Sequence, residues 1–272
     1  MIATSGEVAE TVREAYRRDG VVQLKVPEAV RELQSEFLRE CCAWLDRFAA
    51  VNVTPQRLPD VLPTIERSTV GRLYKVSRRF PAAKQLASHQ WFCHVAARLM
   101  ETNLVSCCHF VNIRMDLPRE QTYLLPVHQD FPFIQGSYNG ITVWLPLHDT
   151  PLLVGPPAWI PGSHRGGVRA VREQRYGSGP VPSGGRSFEI AVPGDYADSD
   201  FTSVDVPFGS ALILSTLVLH RSQPNRSQIA RVNLQLRYDD ALAQESFERN
   251  YPEGLYLGDA LGTTYPEYVL GA

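Results

Sequence analysis

Apolar positions in the first part of the chain recur at helical spacing. Val30, Leu33, Phe37, Leu38, Cys41, Leu45 and Phe48 repeat every three or four residues. That spacing predicts a long amphipathic helix over 28–50, with Pro27 suited to its start. Upstream, Ser5 is placed to cap a helix running to about Arg18, which Gly20 would end. Val21 to Val26 reads as a strand. Residues 52–70 have no clear period and carry Pro55, Pro59 and Pro63, so they are expected to be irregular. Gly71 to Val76, which includes Lys75, reads as a strand. Residues 82–101 read as a second helix, and Leu104 to Leu117 as a strand that includes His109.

The pattern changes in the second half. Short β-rich segments at 121–127, 139–148, 157–161, 187–192, 202–207, 209–219 and 229–239 are separated by Gly, Pro and Asp turns. Many short strands punctuated in this way predict a sandwich or barrel. Helices first and strands later fit a mainly β fold, a jelly roll with helices packed on its outside. The expected organisation is a single domain over 1–272. Its helical part, 1–103, packs on a core at 104–240, followed by a C-terminal extension at 241–272. No internal repeat is visible.

Composition narrows the class without naming a chemistry. The 272 residues are 44% hydrophobic, ordinary for a globular protein. A net charge of -2 gives no reason to expect nucleic acid or an anionic membrane as partner. Five cysteines, with adjacent pairs at Cys41-Cys42 and Cys107-Cys108 and no Cys-x-x-Cys, suggest core thiols in a reducing compartment rather than disulfides or a zinc site. No apolar run reaches the roughly 18 residues of a membrane span, and the charged N-terminus lacks a signal core. A cytoplasmic location is expected.

The candidate chemistry begins at Leu125-Pro126-Val127-His128-Gln129-Asp130-Phe131. On an extended segment His128 and Asp130 point the same way and could face one ion. The alternative is a surface His beside an Asp. The downstream run Leu212 to Leu219 changes that balance, because it is strongly apolar and ends in His220. A third ligand from there would complete a two-His-one-carboxylate face with open positions, the arrangement of non-haem Fe(II) oxygenases. The return strand from Ile229 to Leu236 alternates apolar and polar residues and carries Arg231. An inward Arg needs an anionic partner, and a bound dicarboxylate would supply one. The alternative is a surface-facing strand Arg. His89 and His94 are five residues apart and share no helical stripe. The stretch Arg165 to Arg186 is rich in Gly and Ser, has five arginines, and reads as a lid or substrate-binding loop, with a solvated insertion as the alternative.

Taken in order, His128-Gln129-Asp130, Trp144, Pro161-Gly162-Ser163-His164, His220-Arg221-Ser222 and Arg231 resemble the phytanoyl-CoA dioxygenase family over about residues 14–240. The resemblance implies a double-stranded β-helix (jelly roll, cupin-like) core. It also implies an Fe(II)- and 2-oxoglutarate-dependent oxygenase using O₂, with iron on His128, Asp130 and His220. Arg231 matches the family's anchor for the far carboxylate of 2-oxoglutarate. Ser222 matches its hydroxyl helper, Trp144 a pocket tryptophan and Lys75 a lysine reaching the co-substrate. Simpler readings are a turn residue for Ser222 and a core aromatic for Trp144. Gln129 and Phe131 could face substrate, and Asn112 and Tyr123 are further pocket candidates. His164 and His148 are read as structural.

A carboxylate at Asp130 argues against the halogenases of the family and for hydroxylation, desaturation or ring closure. Val154-Gly155-Pro156-Pro157 departs from the Asn-Gly often found there. The implied substrate is a small polar metabolite or natural-product intermediate. Two other readings stay open. One is a metal-binding jelly roll that does not use 2-oxoglutarate, such as an isomerase. The other is a non-catalytic binding module.

Overall fold

The structure is a computed structural model that describes residues 8–108, 110–175, 188–254 and 260–270. Ser5, His109 and the 176–187 part of the Gly-rich stretch fall outside those residues. Helix α1, Glu10–Asp19, ends at Gly20, whose φ of 75° is left-handed and whose N–H bonds to the Tyr16 carbonyl. A side chain there would lie 2.5 Å from the His164 ring, so glycine is required twice over. Strand β1 is Val21–Lys25. Helix α2, Glu28–Ala49, buries Val30, Phe37, Leu38, Cys41, Cys42 and Leu45. Phe48, expected in the same stripe, is 63% exposed and lies against Trp44.

The proline-rich stretch is not shapeless. It forms the short helix α3, Leu58–Val61, between two 3₁₀ turns that place prolines in their first turns. Residues 71–76 are helical, not a strand: they lie inside α4, Arg67–Ser77, which buries Val70, Leu73 and Ser77. Six residues are too few to separate period 2 from period 3.6. The helix expected over 82–101 is two, α5 (Pro81–Ala87) and α6 (Gln90–Met100). The break is at His89, whose Nδ1 accepts the Trp91 N–H at 3.2 Å and caps α6.

The strands that follow are β2 (Val105–Cys107), β3 (Asn112–Asp116), β4 (Ile141–Pro146), β5 (Ala158–Trp159), β6 (Arg172–Arg175), β7 (Phe188–Ala191), β8 (Ser210–Ser215), β9 (His220–Arg221) and β10 (Arg231–Asp240). Short helices α7 (Phe131–Ile134), α8 (Gln244–Glu248) and α9 (Leu261–Thr264) complete the set. Residues 121–127 are irregular rather than a strand. The 202–207 segment contributes only isolated bridges, Trp159 with Thr202 and Thr150 with Val206.

The main sheet has six antiparallel strands in the order β1-β8-β4-β10, with β3 and β2 sharing the far edge of β10. Because side chains alternate faces, its outer face presents Val232, Leu234, Leu236, Tyr238, Ile113, Met115, Val143, Leu145, Ala211 and Ile213. These join α2, α4, α5 and α6 in the largest core. Helices therefore cover one whole face of the sheet. The opposite layer is small: β5 pairs β9, and His128 bridges His220. Trp144, Leu212, Leu214, Trp159 and Val218 fill one side of the space between the layers.

The expectation of a mainly β chain needs correction. The strand residues among those described amount to only 19% of the chain length, and helix outweighs strand among the described residues. The minor layer is built from two-residue pieces and single bridges, while the helical cover is long.

Candidate metal centre

His128 and His220 are brought together by the backbone. Each N–H donates to the other's carbonyl, at 2.9 and 3.0 Å, so the two side chains leave one narrow antiparallel pair on the same side. Their ring centroids are 4.1 Å apart. Asp130 stands immediately before α7, which turns the chain away. Its Oδ1 lies 3.9 Å from Nε2 of both histidines. One donor atom from each residue lies within 4.8 Å of the others, and all three residues are at most 9% exposed.

Neighbouring groups fix the form of each donor. His128 Nδ1 is 2.8 Å from the Pro126 carbonyl, and His220 Nδ1 is 3.0 Å from the Val218 carbonyl. Each carbonyl comes from two residues earlier in the chain and holds Nδ1 as the N–H, leaving the Nε2 lone pair for the shared point. Thr142 donates to Asp130 Oδ2 at 2.6 Å, which leaves Oδ1 toward the histidines. Burial by itself would raise the Asp130 carboxyl. Arg237, 3.7 Å from Oδ1, and the two imidazoles outweigh it and hold the carboxyl well below the usual range. Burial pushes His128 down to about 3, assisted by His220. Near neutral pH the carboxylate is charged and the His128 imidazole neutral, the forms that take up a cation. Two imidazoles and a carboxylate suit a divalent transition metal and leave the rest of its coordination sphere open. The site's donors thus fit a metal ion.

Beyond these three, β10 lines the interior with a polar row. Arg231, Asn233, Gln235 and Arg237 sit at alternate positions on its inner face, opposite Asp116, Arg114 and Asn112 of β3 and Trp144 and Thr142 of β4. The charge on Arg231 is met from within the chain. Its Nε and Nη2 donate to Asp116 Oδ2 at 3.1 and 2.9 Å, and its Nη1 donates to the Gln223 carbonyl at 3.1 Å. Arg114 holds the other oxygen of Asp116 at 2.6 Å. Although burial would raise Asp116, Arg114 and Arg231 bring its carboxyl down to about 2. The inference that Arg231 needs an external anion to balance it is therefore corrected. A guanidinium has five N–H groups, however, and these bonds use three, so two remain for a bound carboxylate.

The structure divides the other candidates. Trp144 is buried on the inner wall beside Gln235 and Leu212. Asn112 is buried, donating to Gln235 Oε1 at 3.0 Å and accepting from Tyr74 Oη at 3.3 Å. Ser222 is half-buried just past β9. Tyr123 gives its carbonyl to Arg114 and its ring to Arg67.

Three expectations fail. Lys75 is exposed on α4, and Tyr74, its neighbour, reaches the inner row instead. Gln129 points away from the histidines: its Nε2 donates to the carbonyls of Gly167 and Leu217 at 2.9 and 2.6 Å, and its Oε1 accepts the Arg169 N–H at 2.8 Å. Phe131 packs on Tyr138 and Tyr265 in a small separate core. Phe133 is the ring that meets His128, edge-on at 5.7 Å. His148 accepts the Val232 N–H at 3.1 Å, and His164 lies against the Arg17 carbonyl, both structural roles. Asp116, Asn233 and Arg237 escaped the sequence reading. The alternation that exposed Arg231 applies equally to 233 and 237, so the period itself could have found two of them.

These arrangements match known proteins. The chain belongs to the phytanoyl-CoA dioxygenase (PhyH) family, whose profile it matches over residues 16–233. It is 29% identical over 107 residues to a phytanoyl-CoA dioxygenase domain-containing protein 1 homolog of Dictyostelium discoideum, covering 39% of this chain and 37% of that protein. It is 30% identical over 143 residues to a 1-deoxypentalenic acid 11-beta-hydroxylase of Streptomyces exfoliatus, covering 49% of this chain and 47% of that protein. The matched segments thus span less than half of either relative. Its fold is shared with SnoK, a non-heme alpha ketoglutarate dependent carbocyclase from nogalamycin biosynthesis, with a TM-score of 0.58, 18% identity, and coverage of 96% of this chain and 98% of that one.

Proposed function

We propose that the chain is an Fe(II)- and 2-oxoglutarate-dependent oxygenase of the PhyH family, with a double-stranded β-helix core formed by the two strand layers. The observation that carries this reading is the convergence of His128, Asp130 and His220, each held in its ligating form by a neighbour, inside a fold of that family. Iron held there, with 2-oxoglutarate and O₂, supplies an oxidant for a C–H bond and releases succinate and CO₂. The chain's own work is positional. The Pro126 and Val218 carbonyls fix the imidazole tautomers. Thr142 and Arg237 orient and charge-balance Asp130. Arg231, braced by Asp116 on one edge, keeps two donors for the distal carboxylate of the co-substrate. Trp144 and Trp159 exclude water from one side of the interior.

By its name one relative hydroxylates 1-deoxypentalenic acid, and SnoK is a carbocyclase from nogalamycin biosynthesis. The interior here, apolar on one side and polar on the other, suits a natural-product intermediate of mixed character. With a carboxylate at Asp130, hydroxylation, desaturation or ring closure are the reactions supported. Substitution of His220 by Ala is expected to abolish succinate formation from 2-oxoglutarate and to lower bound iron to trace levels. Wild-type succinate yield in that variant would contradict the site.

A further inference from the structure

The one inward side chain of β10 with no partner at all is Asn233. It is 1% exposed, and neither Oδ1 nor Nδ2 meets a hydrogen-bonding group. An unpaired buried amide costs free energy comparable to a lost hydrogen bond or more. Around it every other side chain of the row has at least one partner. Arg231 is braced by Asp116 and Gln223. Arg114, in register with Asn233, holds Asp116 and the Tyr123 carbonyl. Gln235 accepts from Asn112 and Arg237. A buried amide with neither atom paired, set among side chains that all have partners, is the pattern of a group kept for a ligand.

Its position selects the ligand. Asn233 is the next inward position after Arg231, about 7 Å along the strand. It lies on the side of Arg231 toward Arg237, whose guanidinium touches Asp130. Along the strand, this amide therefore stands between Arg231 and the arginine nearest the metal ligands. We infer that Asn233 is a co-substrate-binding residue: its Nδ2 donates to the distal carboxylate of the 2-oxo acid, sharing that group with the two remaining donors of Arg231. Two donors on a guanidinium edge saturate only part of a carboxylate's acceptor capacity, and the amide supplies a further bond. The inference rests on the oxygenase reading above.

The test separates the two. Iron-loaded protein under anaerobic conditions is titrated calorimetrically with 2-oxoglutarate and with 2-oxobutyrate, which lacks the distal carboxylate. Wild type, Arg231→Lys, Asn233→Ala and Asn233→Asp are compared, with bound iron measured in each. Asn233→Ala is expected to weaken 2-oxoglutarate about tenfold, the size of one hydrogen bond to a charged group. Asn233→Asp, which sets a carboxylate beside a carboxylate, is expected to weaken it further. Affinity for 2-oxobutyrate and iron content should not move. If wild type binds no 2-oxoglutarate, the oxygenase reading fails. If wild type binds it, Arg231→Lys weakens it and both Asn233 variants bind like wild type, only the Asn233 assignment is overturned. Equal weakening of both 2-oxo acids would also overturn it, since a general packing defect does not distinguish them.

Discussion

At the scale of single residues, the centre is built by making each donor's alternatives unavailable. A free imidazole can present either nitrogen; here a carbonyl two residues upstream takes Nδ1 of both His128 and His220. A free carboxylate can present either oxygen; Thr142 takes one. The same economy holds at Asp116, which stands between two arginines. Its carboxyl is lowered from an ordinary 3.8 to about 2. Its contribution to stability is therefore present above pH 3.8 and lost as pH falls through about 2. Asp239 has the opposite sign. Burial raises it to about 6, so its contribution is present below its ordinary value and lost as pH rises through 6. Replacing Asp116 by Asn should remove only the acid-side dependence. The stability difference between wild type and variant, from urea unfolding, should grow by roughly 2 kcal/mol between pH 2 and pH 5. Parallel curves would show that folding leaves the Asp116 carboxyl at its ordinary value.

At the scale of elements, the ligand segment is pinned from behind. Gln129, between the two ligands, faces away from them and ties 165–169 and the β8–β9 turn to the minor layer. Behind it, Phe131 rests on Tyr265 of the C-terminal run. Gly254 passes so close to α7 that a side chain would sit 2.5 Å from the Phe133 and Ile134 carbonyls. Replacing Gln129 by Ala removes three bonds to backbone groups, a loss of about 2 to 4 kcal/mol. The melting temperature should fall by roughly 5 to 10 °C, while iron stays bound. An unchanged melting temperature would mean that the Gln129 bonds do not hold the segment.

This division also explains what the sequence disclosed. His128, Asp130 and His220 were legible because the chemistry fixes their types and because His220 ends a strongly apolar run. The main-sheet strands β8 and β10 were legible from long, regular patterns. Lys75 was misplaced because its six-residue window fits strand and helix alike. Gln129 and Phe131 were misassigned because adjacency to a ligand says nothing of direction once the chain turns into α7. Asp116 carries no local pattern; only the β3–β10 register sets it against Arg231.

At the scale of the whole molecule, helices seal the outer face of one large sheet and leave its inner face to carry polar groups. A buried row of arginines and amides is tolerable only when partners or ligands satisfy it. The chain provides partners for nearly all of it and concentrates what is left between Arg231 and the three ligands. No helix among the described residues is long and apolar enough to cross a membrane. On the proposed reading, this interior holds iron and a 2-oxo acid together. The most direct measurement is an anaerobic titration with Fe(II) and 2-oxoglutarate, followed by the weak visible charge-transfer band of a chelated 2-oxo acid. A band that needs both additions and is lost in His128→Ala is the predicted result. Iron bound by the protein with no band on adding 2-oxoglutarate would contradict the account.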